Sequence, residues 1–259
     1  MALKYTKAPI SEVVFGVILK TNSLLANGIL FELLHNLSRE FPNIQTFPAR
    51  PEDDLVDGLI QSSVDYSKSG FVTYRLYSSD AKWQILIQQN IITYHWVRAD
   101  MQPVGGYPGF SACFDRFLQV YKKTNELFTK NGISLESNIK NYYLSYVDRV
   151  NFSEYQSKGM KISDILNMSF PFFSINGRKY TTDNCFNRYS VACEEINGSS
   201  IIGVNTPTVP SFGQMFIVDN KLKGYSEKID MQDWFRVAHG LQVSFFENIF
   251  TEKILKSWE

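Results

Sequence analysis

The sequence predicts an α+β fold made of two similar units, each in the order strand, helix, three strands and helix. Apolar and polar residues alternate in groups of three short segments, and a long amphipathic helical stretch follows each group. The join falls near residues 131–137 and contains no low-complexity linker. We therefore expect one continuous body, with a first unit at 1–131 and a second at 137–259. Mainly antiparallel sheets should carry the long helices on one face.

The first unit opens with an apolar, β-branched segment at residues 10–20, typical of a central strand that is buried on both faces. A helix is predicted to begin at Gly28 with Asn27 as its cap, and Pro42 should stop it. The polar stretch that follows, 47–69, predicts a loop that holds a short extended piece.

Three strands with period-two alternation come next, at 71–77, 83–89 and 91–98. Aromatic residues at helical spacing then predict a long helix over 109–130. Asn131-Gly132 is a suitable C-terminal cap for this helix, because asparagine and glycine tolerate the left-handed backbone that ends many helices.

The second unit repeats this order of elements. Asn197-Gly198 suits a type I′ turn, so the segments on either side should form a hairpin. Asp230 is placed to cap the final helix, which Leu255 and Trp258 could extend. The predicted elements are a strand at 139–152, a short helix at 162–168, strands at 185–196, 200–206 and 214–218, and the final helix.

Composition and charge narrow the class of protein. Lys+Arg and Asp+Glu both number 26, whereas a protein that coats DNA or anionic lipid usually has a basic excess. Cys113, Cys185 and Cys193 lack CxxC spacing, which predicts buried free thiols in a reducing cytoplasm. Neither a signal peptide nor an apolar run of about 20 residues occurs in the sequence. We expect a cytoplasmic protein without a membrane segment.

The sequence carries no recognised signature of catalysis, metal binding or cofactor binding. His35, His95 and His239 lie far apart, and the HExxH, GxSxG, GxGxxG and phosphate-loop patterns are missing from the sequence. We therefore predict no catalytic residue, no metal ligand and no cofactor. Acidic residues from separate strands could still meet in the fold, so a metal-assisted hydrolase or nuclease that uses Asp148 stays open.

Two places predict a binding site. Trp96 and Arg98 share one face at the end of a strand, just before a Gly-Gly turn, and such strand ends can line a pocket. Asp148 and Arg149 form a charged pair inside an otherwise apolar and aromatic strand. A charged pair in such a strand lies either at an open edge of the sheet or against partner groups. Its role is then structural, on the solvent face or between the two halves, or it forms part of a polar binding site.

Four short motifs carry a resemblance to a known family. They are the opening segment Ala8-Pro9-Ile10-Ser11-Glu12-Val13-Val14-Phe15, then Trp96 and Arg98 followed by Tyr107 and Gly109, then Leu144-Ser145-Tyr146-Val147-Asp148-Arg149-Val150, and finally His239 and Phe246 with Thr251 and Trp258. With these motifs the chain resembles a sporadically distributed bacterial and archaeal family of uncharacterised proteins of about this length. The resemblance spans nearly the whole chain.

The resemblance adds Tyr107 to the candidate binding residues Trp96, Arg98, Asp148 and Arg149. The third motif departs from the family strand Leu-Arg-Tyr-Ile-Asn-Arg-Ile, because this chain has serine for the first arginine and Asp148 for asparagine. A patchy distribution implies mobile genes, often defence or toxin–antitoxin cassettes. The resemblance implies no activity.

The leading hypothesis is a non-enzymatic component that binds a protein or a ligand, with a protein partner encoded in the same operon. The metal-assisted hydrolase or nuclease is one alternative. Small groups of basic residues near aromatic residues leave nucleic-acid binding as another, which the zero net charge disfavours. A symmetric homodimer is the default oligomer, since two-fold pairs dominate soluble assemblies.

Overall fold

A computed structural model describes most of the chain. The described residues are 5, 7–20, 28–48, 72–88, 90–98, 106–167, 173–175, 178–180, 186–206, 208–209 and 213–259. The predicted cap Asn27, most of the predicted loop at 47–69 with its extended piece at 59–66, and Cys185 lie outside these ranges. Cys113 and Cys193 are free and buried, as predicted.

The described residues of the first half form five strands and two helices. They are β1 (Ile10–Leu19), α1 (Ile29–Leu37), β2 (Asn43–Pro48), β3 (Val72–Tyr77), β4 (Trp83–Gln88), β5 (Ile91–Val97) and α2 (Phe110–Lys130). The four predicted strands and the long helix are confirmed to within about one residue. Helix α1 ends at Leu37, before the predicted stop at Pro42, and β2 is a strand that the sequence did not predict.

In the second half, the part of the chain that the structure describes forms seven strands and four helices. They are α3 (Leu135–Asn138), β6 (Ile139–Asn151), α4 (Phe152–Gln156), β7 (Phe173–Ile175), β8 (Arg178–Tyr180), β9 (Phe186–Cys193), β10 (Gly198–Asn205), β11 (Thr208–Val209), β12 (Gly213–Tyr225), α5 (Met231–Ile249) and α6 (Glu252–Trp258). The helix predicted at 162–168 is only a 3₁₀ turn at Ile162–Asp164. The final helix breaks at Phe250, so Leu255 and Trp258 belong to the separate helix α6.

The β9–β10 hairpin is confirmed, but its predicted type I′ turn is wrong. Cys193 pairs with Gly198, and the residues between them form a 3₁₀ turn, Glu194–Ile196, followed by Asn197. Asn197 adopts the left-handed conformation, with φ of 48°, that returns the chain to the sheet. The connection is therefore longer than the two-residue loop that the Asn-Gly pair suggested.

One large antiparallel sheet joins the two halves, which confirms the α+β class. Its order is β2-β3-β4-β5-β1-β6-β12-β10-β9, and the short β11 pairs with the start of β12. Strands β1 and β6 lie side by side at the centre, with Phe15 opposite Leu144. Strands β7 and β8 form a separate two-stranded sheet.

The two faces of the central strands differ sharply. Phe15 of β1 lies 5.5 Å, between ring centroids, from Phe117 of α2 and 5.5 Å from Phe235 of α5. Tyr142 of β6 contacts the same Phe235 ring at 5.9 Å. We call this side the helix face. Residues of opposite parity, such as Val14, point to the opposite face.

A tryptophan ties the β9–β10 hairpin to helix α5. Asp230 caps α5 by accepting the backbone N–H of Gln232 at 2.8 Å, which fixes the first turn of the helix. In that turn, the indole Nε1 of Trp234 donates to the carbonyl oxygen of Ile196 at 3.0 Å. A Cβ on Gly224 would lie 2.4 Å from this nitrogen and 2.3 Å from the same oxygen. Only glycine fits where the indole crosses β12.

Candidate functional site at one end of the central strands

The structure brings the five predicted site residues to one end of the central strands. Trp96 and Arg98 lie at the end of β5, Asp148 and Arg149 near the end of β6, and Tyr107 just before α2. They do not share one face, however. Trp96 and Asp148 belong to the helix face, whereas Arg149 follows Asp148 by one residue and therefore points to the opposite face.

An aromatic cluster occupies the helix face at this end. The Tyr107 ring lies 5.4 Å from that of Trp96, and its hydroxyl is 3.0 Å from the hydroxyl of Tyr146. The Tyr146 hydroxyl is also 3.2 Å from Nδ1 of His239. The His239 ring stacks on the Phe110 ring, with 4.1 Å between centroids. Burial lowers the pKa of His239 to about 4, so the imidazole is neutral and its Nδ1 can accept a hydrogen bond from the Tyr146 hydroxyl.

Asp148 is buried beside this cluster. Its strand is central and the residue is only 5% exposed, so the suggestion that it lies at an open edge or on a solvent face is wrong. Burial raises the pKa of Asp148 to about 8, although the nearby Arg98 guanidinium opposes the change and Asp219 adds to it. Within the part of the chain that the structure describes, Oδ1 of Asp148 has no hydrogen-bond partner. The carboxyl is therefore mainly protonated at neutral pH.

Arg98 is held by the opening segment of the chain. Its Nη2 donates to the carbonyl oxygens of Ile10 and Ala8. The same segment also accepts a hydrogen bond from β6: the backbone N–H of Arg149 donates to the carbonyl oxygen of Pro9 at 2.9 Å. The entry of β1 is thus clamped between β5 and β6, which fixes the position of the first strand at this end.

A second group of polar side chains crosses the opposite face. Glu12 pairs with Val97 of β5 and with Val147 of β6, so His95 and Arg149 are its diagonal neighbours on the same face. The row of polar side chains extends to β12, because Asp219 lies opposite Val147 and therefore on the same face. We call this group the polar ladder; its members are Thr93, His95, Glu12, Arg149, Ser145, Asp219 and Lys221.

One end of the polar ladder is a chain of hydrogen bonds from a hydroxyl to a carboxylate. Thr93 Oγ1 lies 2.7 Å from His95 Nε2, and His95 Nδ1 lies 2.8 Å from Glu12 Oε1. Burial alone would raise the pKa of Glu12, but the hydrogen bond and charge of His95, with the charges of Arg149 and Arg75, lower it below its usual value. Glu12 is therefore ionised at neutral pH and can hold the proton of His95 on Nδ1.

The other end is a buried ion pair. Lys221 Nζ lies 2.9 Å from Asp219 Oδ2, and Ser145 donates to Asp219 Oδ1 at 3.1 Å. Burial raises the pKa of Asp219, while Lys221 and Ser145 oppose that change. Both side chains of this ion pair are nearly buried, so solvent has little access to it.

Arg149 lies between these two ends and differs from both. Its Nε is buried and has no hydrogen-bond partner among the described residues. The positive charge of Arg149, and to a smaller extent that of Arg75 on β3, lowers the pKa of Glu12. The Arg75 guanidinium also lies 5.5 Å from the centroid of the Phe47 ring. Arg149 is thus a cation in the ladder whose Nε is not held by a hydrogen bond from any described residue.

Sequence reasoning missed most of the polar ladder. In the sequence, His95 is one of three separated histidines, Glu12 belongs only to the opening motif, and Asp219 is not singled out. The three lie on three different strands, and their proximity depends on the order and register of those strands. The available signal was a charged or polar residue at alternate positions within strands that are otherwise apolar.

Comparisons with protein-family models and with curated proteins found no match for the chain. In the described ranges, no three histidine, cysteine, aspartate or glutamate residues are grouped so that they could hold a metal ion. No helix within those same ranges has the length and apolar character needed to cross a membrane.

Proposed function

We propose that this chain is a non-enzymatic binding component whose partner contacts the polar ladder. The observation that carries this proposal is the meeting of ionisable side chains from both halves on the face opposite the long helices. Buried charges are costly unless they are paired or serve a function. In the ladder, Asp219 and Lys221 form an ion pair, whereas the buried Nε of Arg149 has no hydrogen-bond partner in the described ranges of the chain.

The partner is a protein encoded in the same mobile operon. The resemblance to a sporadically distributed family supports a setting in a defence or toxin–antitoxin cassette. A protein partner also fits the zero net charge of the chain, which offers no long-range attraction for a nucleic acid. We further infer a cytoplasmic location. A second copy of the chain is the alternative partner, as a two-fold dimer.

A pull-down from the native host tests this function. Tagged wild-type protein should recover a stoichiometric partner, and Arg149→Ala should lose it. Arg236→Ala is the matched control, because Arg236 lies exposed on α5 and forms an ion pair with Asp233 in its own helix at 2.9 Å. Equal recovery by all three proteins, or a wild-type chain that recovers nothing at native expression levels, would remove the proposal.

A second candidate function is acyl transfer at Thr93. The hydroxyl–imidazole–carboxylate order of Thr93, His95 and Glu12, at 2.7 and 2.8 Å, is the arrangement that activates a hydroxyl nucleophile. His95 would take the proton as Thr93 Oγ1 attacks an ester carbonyl and return it to the leaving alcohol, and water would then release the acid. A p-nitrophenyl acetate burst that Thr93→Val abolishes would favour this candidate.

Packing around Thr93 favours binding over catalysis. A Cβ on Gly16 would lie 2.8 Å from Thr93 Cγ2 and 3.4 Å from the Tyr143 ring, so the threonine sits in a crowded strand position. The residue is 8% exposed, which leaves little room for an acyl group. Asp148 gives no better support to a metal-assisted reaction, because its carboxyl is mainly protonated at neutral pH.

We also infer that the two halves are structural repeats with both long helices on one face. The order of the sheet supports this, since β5, β4 and β3 extend outward from β1 as β12, β10 and β9 extend outward from β6. In chain order, the long helix α2 follows β5 in the first half, and the long helix α5 follows β12 in the second. Superposing 1–131 on 137–259 should align these elements in order. A best alignment that pairs them in another order would contradict the inference.

A further inference from the structure

Strand β9 forms one edge of the large sheet. Among the described strands it pairs on one side only, with β10, over eight consecutive residues. We propose that β9 pairs antiparallel with β9 of a second copy of the chain, about a two-fold axis at Ser190, so that the two sheets join into one. The polar ladder has no member on β9, so this dimer is independent of the binding function proposed above.

The direction of the backbone groups shows which residues of β9 can pair outward. Successive residues of a strand point these groups alternately to its two sides. The N–H of Tyr225, at the end of β12, donates to the carbonyl oxygen of Asn197, just before β10. Odd-numbered residues of β12 and β10 therefore bond to each other, and even-numbered residues of β10 bond to odd-numbered residues of β9. The backbone groups of Arg188, Ser190 and Ala192 consequently point to the outer side of β9.

A two-fold axis at Ser190 matches these outward groups to one another. Ser190 would lie opposite itself, and Arg188 of each copy would lie opposite Ala192 of the other. Facing residues whose backbone groups point toward each other form hydrogen-bonded pairs, in which each N–H donates to the facing C=O. The strand already has the extended conformation that this pairing requires, so the dimer needs little ordering of the chain.

The side chains on the helix face of β9 are complementary to themselves in this register. Tyr189 and Val191 are 41% and 38% exposed, and the axis would place each opposite the other residue of the second copy. These facing residues form non-hydrogen-bonded pairs, in which side chains lie closest. An aromatic ring against a β-branched side chain is a favourable cross-strand pair, and symmetry makes it occur twice.

The charges at the two ends of β9 are complementary as well. Arg188 is exposed near the start of the strand, and Glu194 and Glu195 are exposed directly after its end. Antiparallel pairing places the start of one strand beside the end of the other, so each arginine would lie next to the acidic residues of the second copy. A second copy supplies both the apolar and the acidic contacts by symmetry. It is therefore the occupant that fits this edge.

The opposite edge of the sheet, β2, is less suited to pairing. The N–H of Ser78 donates to the carbonyl oxygen of Trp83, so even-numbered residues of β3 bond to β4 and odd-numbered residues bond to β2. The backbone groups of Thr46 and Pro48 on β2 therefore point outward. Proline has no N–H to donate, and natural edge strands use it to prevent pairing. Strand β9 contains no proline.

Sedimentation equilibrium of the full-length chain, between about 1 and 100 μM, tests the dimer. A contact of one strand per copy is smaller than the roughly 1,600 Å² of a standard stable interface, so the dimer should dissociate on dilution in the micromolar range. Ser190→Pro removes the outward N–H at the axis and leaves the bonds to β10, so the Kd of the dimer should rise at least about tenfold. Thr46→Pro is the matched control, because it makes the same change on β2, and it should dimerise like the wild type.

Ser190→Lys gives a second test that does not depend on how the fold tolerates proline, because the Ser190 side chain is exposed. It places two positive charges opposite each other, so the dimer should weaken at least about tenfold at low salt and recover in part at high salt. A wild type that stays monomeric at about 100 μM would overturn the inference. So would a dimer that both Ser190 variants leave unchanged, or one that Thr46→Pro weakens equally.

Cross-linking tests the position of the two-fold axis. Facing residues of a hydrogen-bonded pair lie about 5.5 Å apart between Cα atoms, which a disulfide can span. With oxidised glutathione, Ser190→Cys should therefore form a disulfide-linked dimer, whereas the wild type and Thr46→Cys should stay unlinked. A dimer that Ser190→Cys does not link, or that links equally in Thr46→Cys, would show that the axis is not at Ser190.

Discussion

Asp148→Asn should stabilise the protein at neutral pH. The change keeps the shape of the side chain and removes an ionisation that the buried site opposes. The pKa of Asp148 is about 8 in the fold, against an ordinary value of 3.8. At pH 7 the unfolded chain therefore releases a proton that the folded chain retains. This difference costs the fold about 4 kcal/mol, from ~1.4 kcal/mol per pH unit.

The sign of the pH dependence follows from the raised pKa. Between about pH 4 and pH 8 the folded state binds more protons than the unfolded state, so the free energy of unfolding of the wild type should fall as pH rises. Asp148→Asn removes this term, and its advantage should vanish near pH 3.5. Urea unfolding at several pH values measures both slopes.

Asp115→Asn is the matched control, because Asp115 is exposed on α2. It should leave both the stability and its pH dependence unchanged. Parallel pH profiles for wild type and Asp148→Asn, or a variant that is less stable at pH 7, would refute the reasoning. Either result would mean that the buried carboxyl is ionised and stabilised in place, as an Arg98 ion pair would do.

Three further substitutions test the packing and the charges. Gly16→Ala should cost about 1–3 kcal/mol, since its Cβ would lie 2.8 Å from the Thr93 methyl group; urea unfolding measures this loss, and an unchanged midpoint would show that the strands can separate. Glu12→Gln should cost about 1–3 kcal/mol at pH 7, and less as pH falls below 4.5, because the pKa of Glu12 is lowered in the fold; a constant difference down to pH 3 would contradict the assignment. Gly224→Ala should cost roughly 3 kcal/mol and change the fluorescence of Trp234, since the new Cβ would meet backbone and indole at once; native emission and stability would disprove the close contact.

Local periodicity was enough to predict most of the regular structure. Strand β1 was read correctly because its residues are apolar on both faces, as a central strand requires. Strand β2 was missed because all six of its residues are exposed, so burial imposes no alternation on its sequence. The hairpin turn was mistaken for a type I′ turn because Asn197 adopts the same left-handed region in a longer connection.

The site could be predicted only in part, because it depends on contacts between distant residues. The sequence placed Asp148 and Arg149 together, and the two-residue period of a strand separates them onto different faces. One became a neutral, buried acid and the other joined the polar ladder. The meeting of Glu12, His95 and Arg149 requires β1 to lie between β5 and β6, and nothing local in the sequence specifies that order.

The central place of β1 also has a consequence during synthesis on the ribosome. β1 emerges before its neighbour β6, which follows only after β5 and the long helix α2 have been made. At a translation rate of roughly 10 residues per second, the apolar edge of β1 waits for about ten seconds or more without its second neighbour. The nascent first half should therefore be prone to aggregation and should depend on chaperones. Expressed alone, 1–131 should aggregate or pair with itself through that edge.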